Sequence, residues 1–524
     1  MRVLKRDKID PSVMLEVLVL LRPNQNFQLS DALDQVNSSR ESHRRGHFEI
    51  EALLRESAAE SEEIEAVRRF ARKHRLKVVR VDTRVRTIIL RGTARAMSAA
   101  FGVSILVAPD GRRSHRKALA IPKDLTGVIG VFGLSNEPVS KRPGRKKFPP
   151  EESMIPPPVN PHTRPPKEFR QLYEFPKNAT GKGQCIGVLE FGGGFSPARL
   201  RSYLRKLGVA APRLKVREIP PGGNRPLNKT GTLTPDAEVY LDLEMLASIA
   251  PEATLVVYFA ENSSRGWIEA LHAAIFDPEH RISVLSISWG QAERYWDGRT
   301  ISAIEHMLQM AALLGITVCC SSGDRGVFED DAHPYSVPYP ASSPHVLACG
   351  GTRLDVLGAR RRETVWNESE LSGLASGGGV SRMFEMPAFQ KGHHVPSRYG
   401  ARERGRGIPD VAANASSATG YLIWSDNTAM SLGGTSATAP FWAALVACLN
   451  QALGRRIGYL TPLLYTRNGQ RGLKNISRGD NRLSGRQGYD ARQSWDPCTG
   501  LGTPIGVKLA DWLKQIFGLP SGVS

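Results

Sequence analysis

Six cysteines in 524 residues is a small number. Their spacing offers neither a disulfide framework nor a set of metal ligands. Five of the six (Cys185, Cys319, Cys320, Cys349, Cys448 and Cys498) sit in apolar runs, as small core residues do. No apolar run approaches the ~20 residues of a membrane span. The first residues, Met1 to Lys8, lack the hydrophobic core of a usual secretory signal. Aromatics are only 7% of the chain, and neither zinc-finger spacing nor an aromatic RNA-binding signature is present. The net charge of +19 is therefore read as solvated surface charge with no nucleic-acid partner. It is spread beside acids, apart from one compact cluster at Lys141–Lys147. Histidine is scarce too: none of the twelve stands in a His-Gly-Thr-His type stretch or any other setting suited to a catalytic base. A conventional Asp-His-Ser protease, the closest mechanistic rival, is left without a histidine to carry it.

What is there falls into three parts. Residues 13–23 form a β-type run, followed by a helix over 61–75, strands over 76–81 and 85–90, and a helix capped by Thr93 that runs to Phe101. The order β-α-β-β-α-β is that of a ferredoxin-like sandwich. Between Pro138 and Pro166, ten of 29 residues are proline, which bars helix and sheet interior and makes an exposed, cleavable linker. Beyond it, strands over 185–191, 254–259, 282–288, 316–321 and 345–349 alternate with helices over 197–207, 267–276 and 302–314. That alternation predicts a mostly parallel sheet with helices on both faces.

Three stretches carry chemistry. Ser431-Leu-Gly-Gly-Thr-Ser-Ala-Thr-Ala-Pro440 reads as a glycine turn delivering Ser436 to the start of a buried helix, with Pro440 opening its apolar run. Helix N-terminal N–H groups favour developing negative charge, which suits a nucleophile. Taken alone, the decapeptide serves equally as an N-cap before a core helix. The helix from Pro235 to Ala250 places Glu238 and Asp242 on one face, where two carboxyls repel and one tends to keep a proton. An exposed helix with scattered acids is the plainer reading of that segment, and Glu244 suits it. Asp324 follows the strand 316–321 in Ser-Ser-Gly-Asp-Arg-Gly, beyond a strand's carboxyl end, where ligands of such sheets bind.

Together, the Glu238-x-x-x-Asp242 helix, the Ser-Gly-Asp324 turn and Gly-Gly-Thr-Ser436 resemble the sedolisins, the serine-carboxyl peptidases, in order and spacing. Further matches are Gly183–Gly194, Ser286-Ile-Ser-Trp289-Gly, Pro340–Pro344, Arg406-Gly-Ile-Pro-Asp410 and Trp495–Gly502. The resemblance implies an activation propeptide over 1–136, a linker over 137–167 and a subtilisin-like peptidase domain over 168–520. It implies Ser436 as nucleophile, Glu238 as general base, Asp242 as its partner and Asp324 in the oxyanion hole. Glu190 and Trp289 match the family's supporting hydrogen-bond network. It further implies an acid-acting endopeptidase on protein and peptide substrates, or release of tripeptides, for which the motifs serve equally. The propeptide would inhibit in cis, and the enzyme would be a secreted monomer. A calcium loop over 475–496 is implied as well, with Asn475, Ile476, Ser494 and Asp496 as ligands. Asn475 stands where the family has a second aspartate, which weakens the site. Some members place an acid just before the aromatic that precedes Pro-Ala-Ser; here that place is Pro338, before Tyr339, so no preference for basic side chains is expected.

Overall fold

The computed structural model describes residues 6–38, 47–115, 119–140, 158–227, 235–330, 332–358, 360–425 and 428–520. The cluster Lys141–Lys147 and most of the linker lie outside them.

The N-terminal part is built on β1 (Met14–Leu21), α1 (Leu29–Ser38), α2 (Ile50–Glu56), α3 (Ser61–Lys73), β2 (Lys77–Asp82), β3 (Thr87–Thr93), α4 (Ala94–Phe101) and β4 (Val128–Phe132). The four strands form an antiparallel sheet in the order β2-β3-β1-β4, the ferredoxin-like arrangement expected. The Thr93 side chain caps α4 by accepting from the Ala96 N–H at 3.2 Å. α1 and α2 were not anticipated.

Because strand side chains alternate, β1 can bury both faces. Leu15, Val17, Val19 and Leu21 pack with Ile64, Val67 and Phe70 of α3. Leu18 and Leu20, with Ile89 and Phe132, pack instead on Ile268 and Ala303 of the C-terminal part. The second face of the small sheet is therefore an intramolecular docking surface.

The C-terminal part contains β5 (Cys185–Glu190), α5 (Pro197–Lys206), β6 (Arg213–Glu218), α6 (Pro235–Ile249), β7 (Thr254–Phe259), α7 (Ser264–Ile275), β8 (Val284–Ile287), α8 (Gly298–Leu313), β9 (Thr317–Ser321), β10 (Leu347–Leu357), β11 (Arg360–Val365), β12 (Val411–Asn414), α9 (Thr435–Leu453) and α10 (Gly506–Ile516). The main sheet runs β6-β7-β5-β8-β9-β10, all parallel. β12 pairs in parallel with the start of β10, and β11 pairs antiparallel with its end. α6 and α9 cover one face and α7 and α8 the other. All six cysteines are buried and none is paired. Among the described residues, no helix is long and apolar enough to cross a membrane.

α6 departs from the exposed alternative weighed for its sequence. Every residue from Asp236 to Ile249 is buried, as in a helix enclosed on all sides. Glu244 is fully buried and accepts the Trp424 N–H at 2.8 Å, and burial pushes its carboxyl well above the usual range.

Candidate active site

The site lies beyond the carboxyl ends of the parallel strands. Glu190 ends β5, Ser288 and Trp289 follow β8, and Asp324 follows β9. The glycine turn after β5 is tied to the start of α6: Asp236 accepts the Gly194 N–H at 2.9 Å and the Leu227 N–H at 2.7 Å. A side chain on Gly193 (φ +71°) would come within 2.6 Å of the Pro235 backbone, so only glycine fits there. This places Glu238 and Asp242 on successive turns at the mouth of the sheet.

Asp242 is completely buried, and Glu238 is 8% exposed. Desolvation holds the Asp242 carboxyl well above its ordinary pKa, and the charges of Glu190 and Glu238 add to this. Three carboxyls thus share one enclosed space. Trp289 Nε1 donates to Glu190 Oε2 at 3.1 Å, consistent with the supporting position expected for both.

α9 begins at Thr435, so Ser436 stands at its start as expected, and Pro440 lies inside the helix. Proline has no N–H for the carbonyl four residues earlier, and here that carbonyl belongs to Ser436. The Ser288 hydroxyl stands beside it, 3.2 Å from the Ser436 carbonyl oxygen and 2.9 Å from Asp242 Oδ1, with its one proton within reach of either acceptor. Ser288 therefore ties the acid-bearing helix to the turn that carries Ser436. The sequence reading quoted its motif without giving it a part; the one signal was its place just past a buried strand.

Asp324 caps the same helix. Its Oδ1 accepts the Thr435 N–H at 2.7 Å and the Thr435 hydroxyl at 2.6 Å. Thr435 Oγ1 in turn accepts the Gly323 N–H at 3.1 Å. Burial pushes the Asp324 carboxyl up to about 6, against the opposing pull of the Thr435 bonds. A Cβ on Gly434 (φ +85°) would sit 2.8 Å from Asp324 Oδ2, and one on Gly433 would sit 2.1 Å from the Ala415 carbonyl. Both glycines are thus required for Ser436, 4% exposed, to reach its place. The histidines with charged partners bond elsewhere: His280 to Asp277, His333 to Asp330 and His345 to Glu305.

Comparison with known proteins supplies the family. The Subtilase family model matches residues 229–489, and the Pro-kumamolisin activation domain matches residues 2–137. Kumamolisin of Bacillus sp. (strain MN-32) is 39% identical over 506 residues, covering 94% of this chain and 91% of that protein. The chain belongs to the kumamolisin–sedolisin family. Within that family, sedolisin of Pseudomonas sp. (strain 101) is 28% identical over 529 residues, covering 95% of this chain and 87% of that protein. The solved structure of Pseudomonas sedolisin, a serine-carboxyl proteinase bound to pseudo-iodotyrostatin, superposes with a TM-score of 0.60 at 28% identity. It covers 67% of this chain and 98% of that one. Like its kumamolisin–sedolisin relatives, this protein is a serine-carboxyl peptidase carrying an activation propeptide.

The loop expected to bind calcium is compact. Asn475 Nδ2 donates to the Ser494 carbonyl at 2.6 Å, and Ile476 is buried against Val365 and Cys498. Asp496 accepts the N–H groups of Cys498 (2.8 Å), Thr499 (2.9 Å) and Arg492 (3.1 Å), and burial pushes it up to about 6. Asn475 Oδ1 is buried without a hydrogen-bond donor. Ser494 adopts φ +73°, a glycine-like conformation. Among the described residues, no three His, Cys, Asp or Glu side chains cluster as metal ligands. Any cation here would rest largely on carbonyl and amide oxygens.

Proposed function

We propose that this chain is an acid-acting endopeptidase, made as a self-activating zymogen, that works through Ser436, Glu238, Asp242 and Asp324. The observation that carries this reading is the buried carboxyl cluster joined through Ser288 to the Ser436 turn. Ser436 Oγ attacks the scissile carbonyl and Glu238 takes its proton as general base. Asp242 holds the proton that the crowded pair retains and so orients Glu238. Ser288 positions Asp242 against the Ser436 backbone. Asp324, protonated below about pH 6, donates a hydrogen bond to the developing oxyanion. As pH falls through that value, the donor form accumulates. Collapse of the tetrahedral adduct expels the amine, which receives the proton from Glu238, and water then repeats the sequence on the acyl-enzyme.

The test is a pH series of the purified chain on a gel, with Ser436→Ala alongside. Wild type should shorten below about pH 5 to a fragment lacking the N-terminal part, because a carboxylate base works near its own pKa. The variant should stay intact. Self-processing that peaks at neutral or alkaline pH would overturn the carboxylate base.

Calcium forms part of the same proposal. Asn475 Oδ1, the carbonyls of Ile476 and Ser494, and the Asp496 carboxylate are the hard oxygen ligands this ion takes. The donorless Asn475 oxygen is the atom a cation would satisfy. When bound, calcium would cross-link the two ends of the loop. With a single carboxylate its binding is weak, so calcium should raise the melting temperature slightly, and Asn475→Asp should enlarge that rise. An identical melting curve in calcium and in chelator for both proteins would remove the ion from the proposal. Secretion and a monomeric state complete the reading and rest on family likeness; cell fractionation and gel filtration check them.

A further inference from the structure

The propeptide buries an arginine where it docks. Arg86 sits in the turn between β2 and β3 with φ +59°, and its carbonyl is fixed by the Leu21 N–H at 2.9 Å. The side chain is 1% exposed, and neither Nε nor Nη1 has a hydrogen-bond partner. Its neighbour Val85 and the nearby Ile89 both pack into the docking contact.

Two peptidase-domain histidines lie within reach of this charge. His272 on α7 stands one turn beyond Ile268, and His306 on α8 one turn beyond Ala303, so both share the helix faces on which the propeptide sheet rests. Both rings are buried, and neither Nε2 has a partner. Burial lowers the pKa of both, that of His272 to about 3, and the Arg86 charge pushes each further down. Arg80 of β2 acts on His272 in the same sense.

The acids on the surrounding elements are engaged elsewhere. Glu269 of α7 pairs with Arg265 at 3.1 Å, and Glu305 of α8 binds His345 at 3.0 Å and Ser343 at 2.9 Å. Asp31 of α1, the helix packed on α8, is exposed. The three groups thus form a buried contact with one fixed cation and two rings that acquire charge in acid.

We propose that Arg86, His272 and His306 form an acid-operated catch that releases the propeptide from the peptidase domain. With both rings neutral, the guanidinium is tolerated beneath the docked sheet. Protonation places three cations in one desolvated contact, and undocking returns all three to water. The direction follows from proton linkage: the docked rings bind protons less readily than the exposed ones. Docking is therefore unaffected above the ordinary histidine pKa of about 6.5 and weakens as pH falls below it, until the docked values are passed. At pH 5 this amounts to about 30-fold for His272 alone, and His306 adds to it in the same direction. The catch rests on the zymogen reading for its purpose, yet it is measurable without catalysis.

The experiment uses full-length Ser436→Ala protein, which cannot cut itself, and follows amide hydrogen exchange over β3 and α7 from pH 7 to pH 4, corrected for intrinsic rates. The parent should lose protection in these segments between pH 6.5 and 5. Adding His272→Gln and His306→Gln should move that loss down by at least one pH unit. Arg86→Gln, which leaves the peptidase domain untouched, should shift it in the same direction by less, and it stands in if the double variant does not fold. Loss of protection at the same pH in all three proteins would overturn the catch and leave the peptidase reading intact. Absence of self-processing in wild type, with the exchange shift observed, would overturn the zymogen reading and leave the catch in place.

Discussion

Two buried clusters of like-charged groups face opposite ways along the pH scale. In the cleft, Glu190, Glu238 and Asp242 crowd together, and desolvation with mutual repulsion drives Asp242 upward. Under the propeptide, Arg86, His272 and His306 crowd together, and the same two forces drive the histidines downward. Acid neutralises the first cluster and charges the second. One fall in pH therefore discharges the cluster in the cleft and adds charge to the contact beneath the propeptide. A third buried group shows what the fold does when charge serves stability alone. Arg406 and Asp410, both fully buried, pair through bonds of 2.7 and 2.5 Å, with Asp410 also accepting from Tyr465 at 2.7 Å and from the Ala348 N–H at 2.8 Å.

Substitutions can sharpen this contrast. The largest effect is expected from Glu238→Gln, which keeps the shape and removes the base: kcat should fall about 10³-fold. The melting temperature should rise, because one of three repelling acids is gone. A fall in melting temperature would mean that the carboxyl cluster is not under repulsive load. Arg406→Ala should do the reverse, costing about 3–5 kcal/mol in denaturant unfolding because Asp410 is left charged and alone. A loss below about 1 kcal/mol would put this pair on the same footing as the like-charged clusters. Ser288→Ala comes last, with kcat down about tenfold and KM unchanged. Its hydrogen bond lowers the Asp242 pKa, so removing it should move the alkaline limb of the pH–rate profile upward. Ser288→Thr should restore part of the activity, and an equal rise in KM would argue for substrate binding instead.

Much of the cleft was legible because its demands are local. Gly433 and Gly434 before Ser436, and the four-residue interval from Glu238 to Asp242, are constraints that neighbouring residues impose and a sequence displays. The ferredoxin-like order was legible for the same reason, through period and caps. What stayed hidden depends on partners far away in the chain. Glu244 reads as a surface acid until Trp424, 180 positions later, is found against it. That Pro440 sits well inside α9 was not legible, because nothing nearby in the chain shows Ser288 standing beside the carbonyl it leaves open. His272 and His306 look like any histidines on apolar helices; only the docked Arg86 gives them a distinct environment. α1 and α2 went unread because their stability comes from packing, not from strong end signals.

The first residues of the linker lie on the peptidase domain. Ser140 exchanges hydrogen bonds with Asn262 and receives one from Trp267 Nε1 at 3.1 Å, while Gln291 bonds the Val139 carbonyl. A cut in the linker beyond Ser140 therefore leaves every one of these contacts in place. What changes is concentration: an inhibitor held on the same chain faces its target at roughly millimolar effective concentration, whereas a severed one faces it only at the bulk value. Before the cut, the inhibited state is indifferent to dilution. After it, a concentrated sample stays silent while the same molecules, diluted, wake.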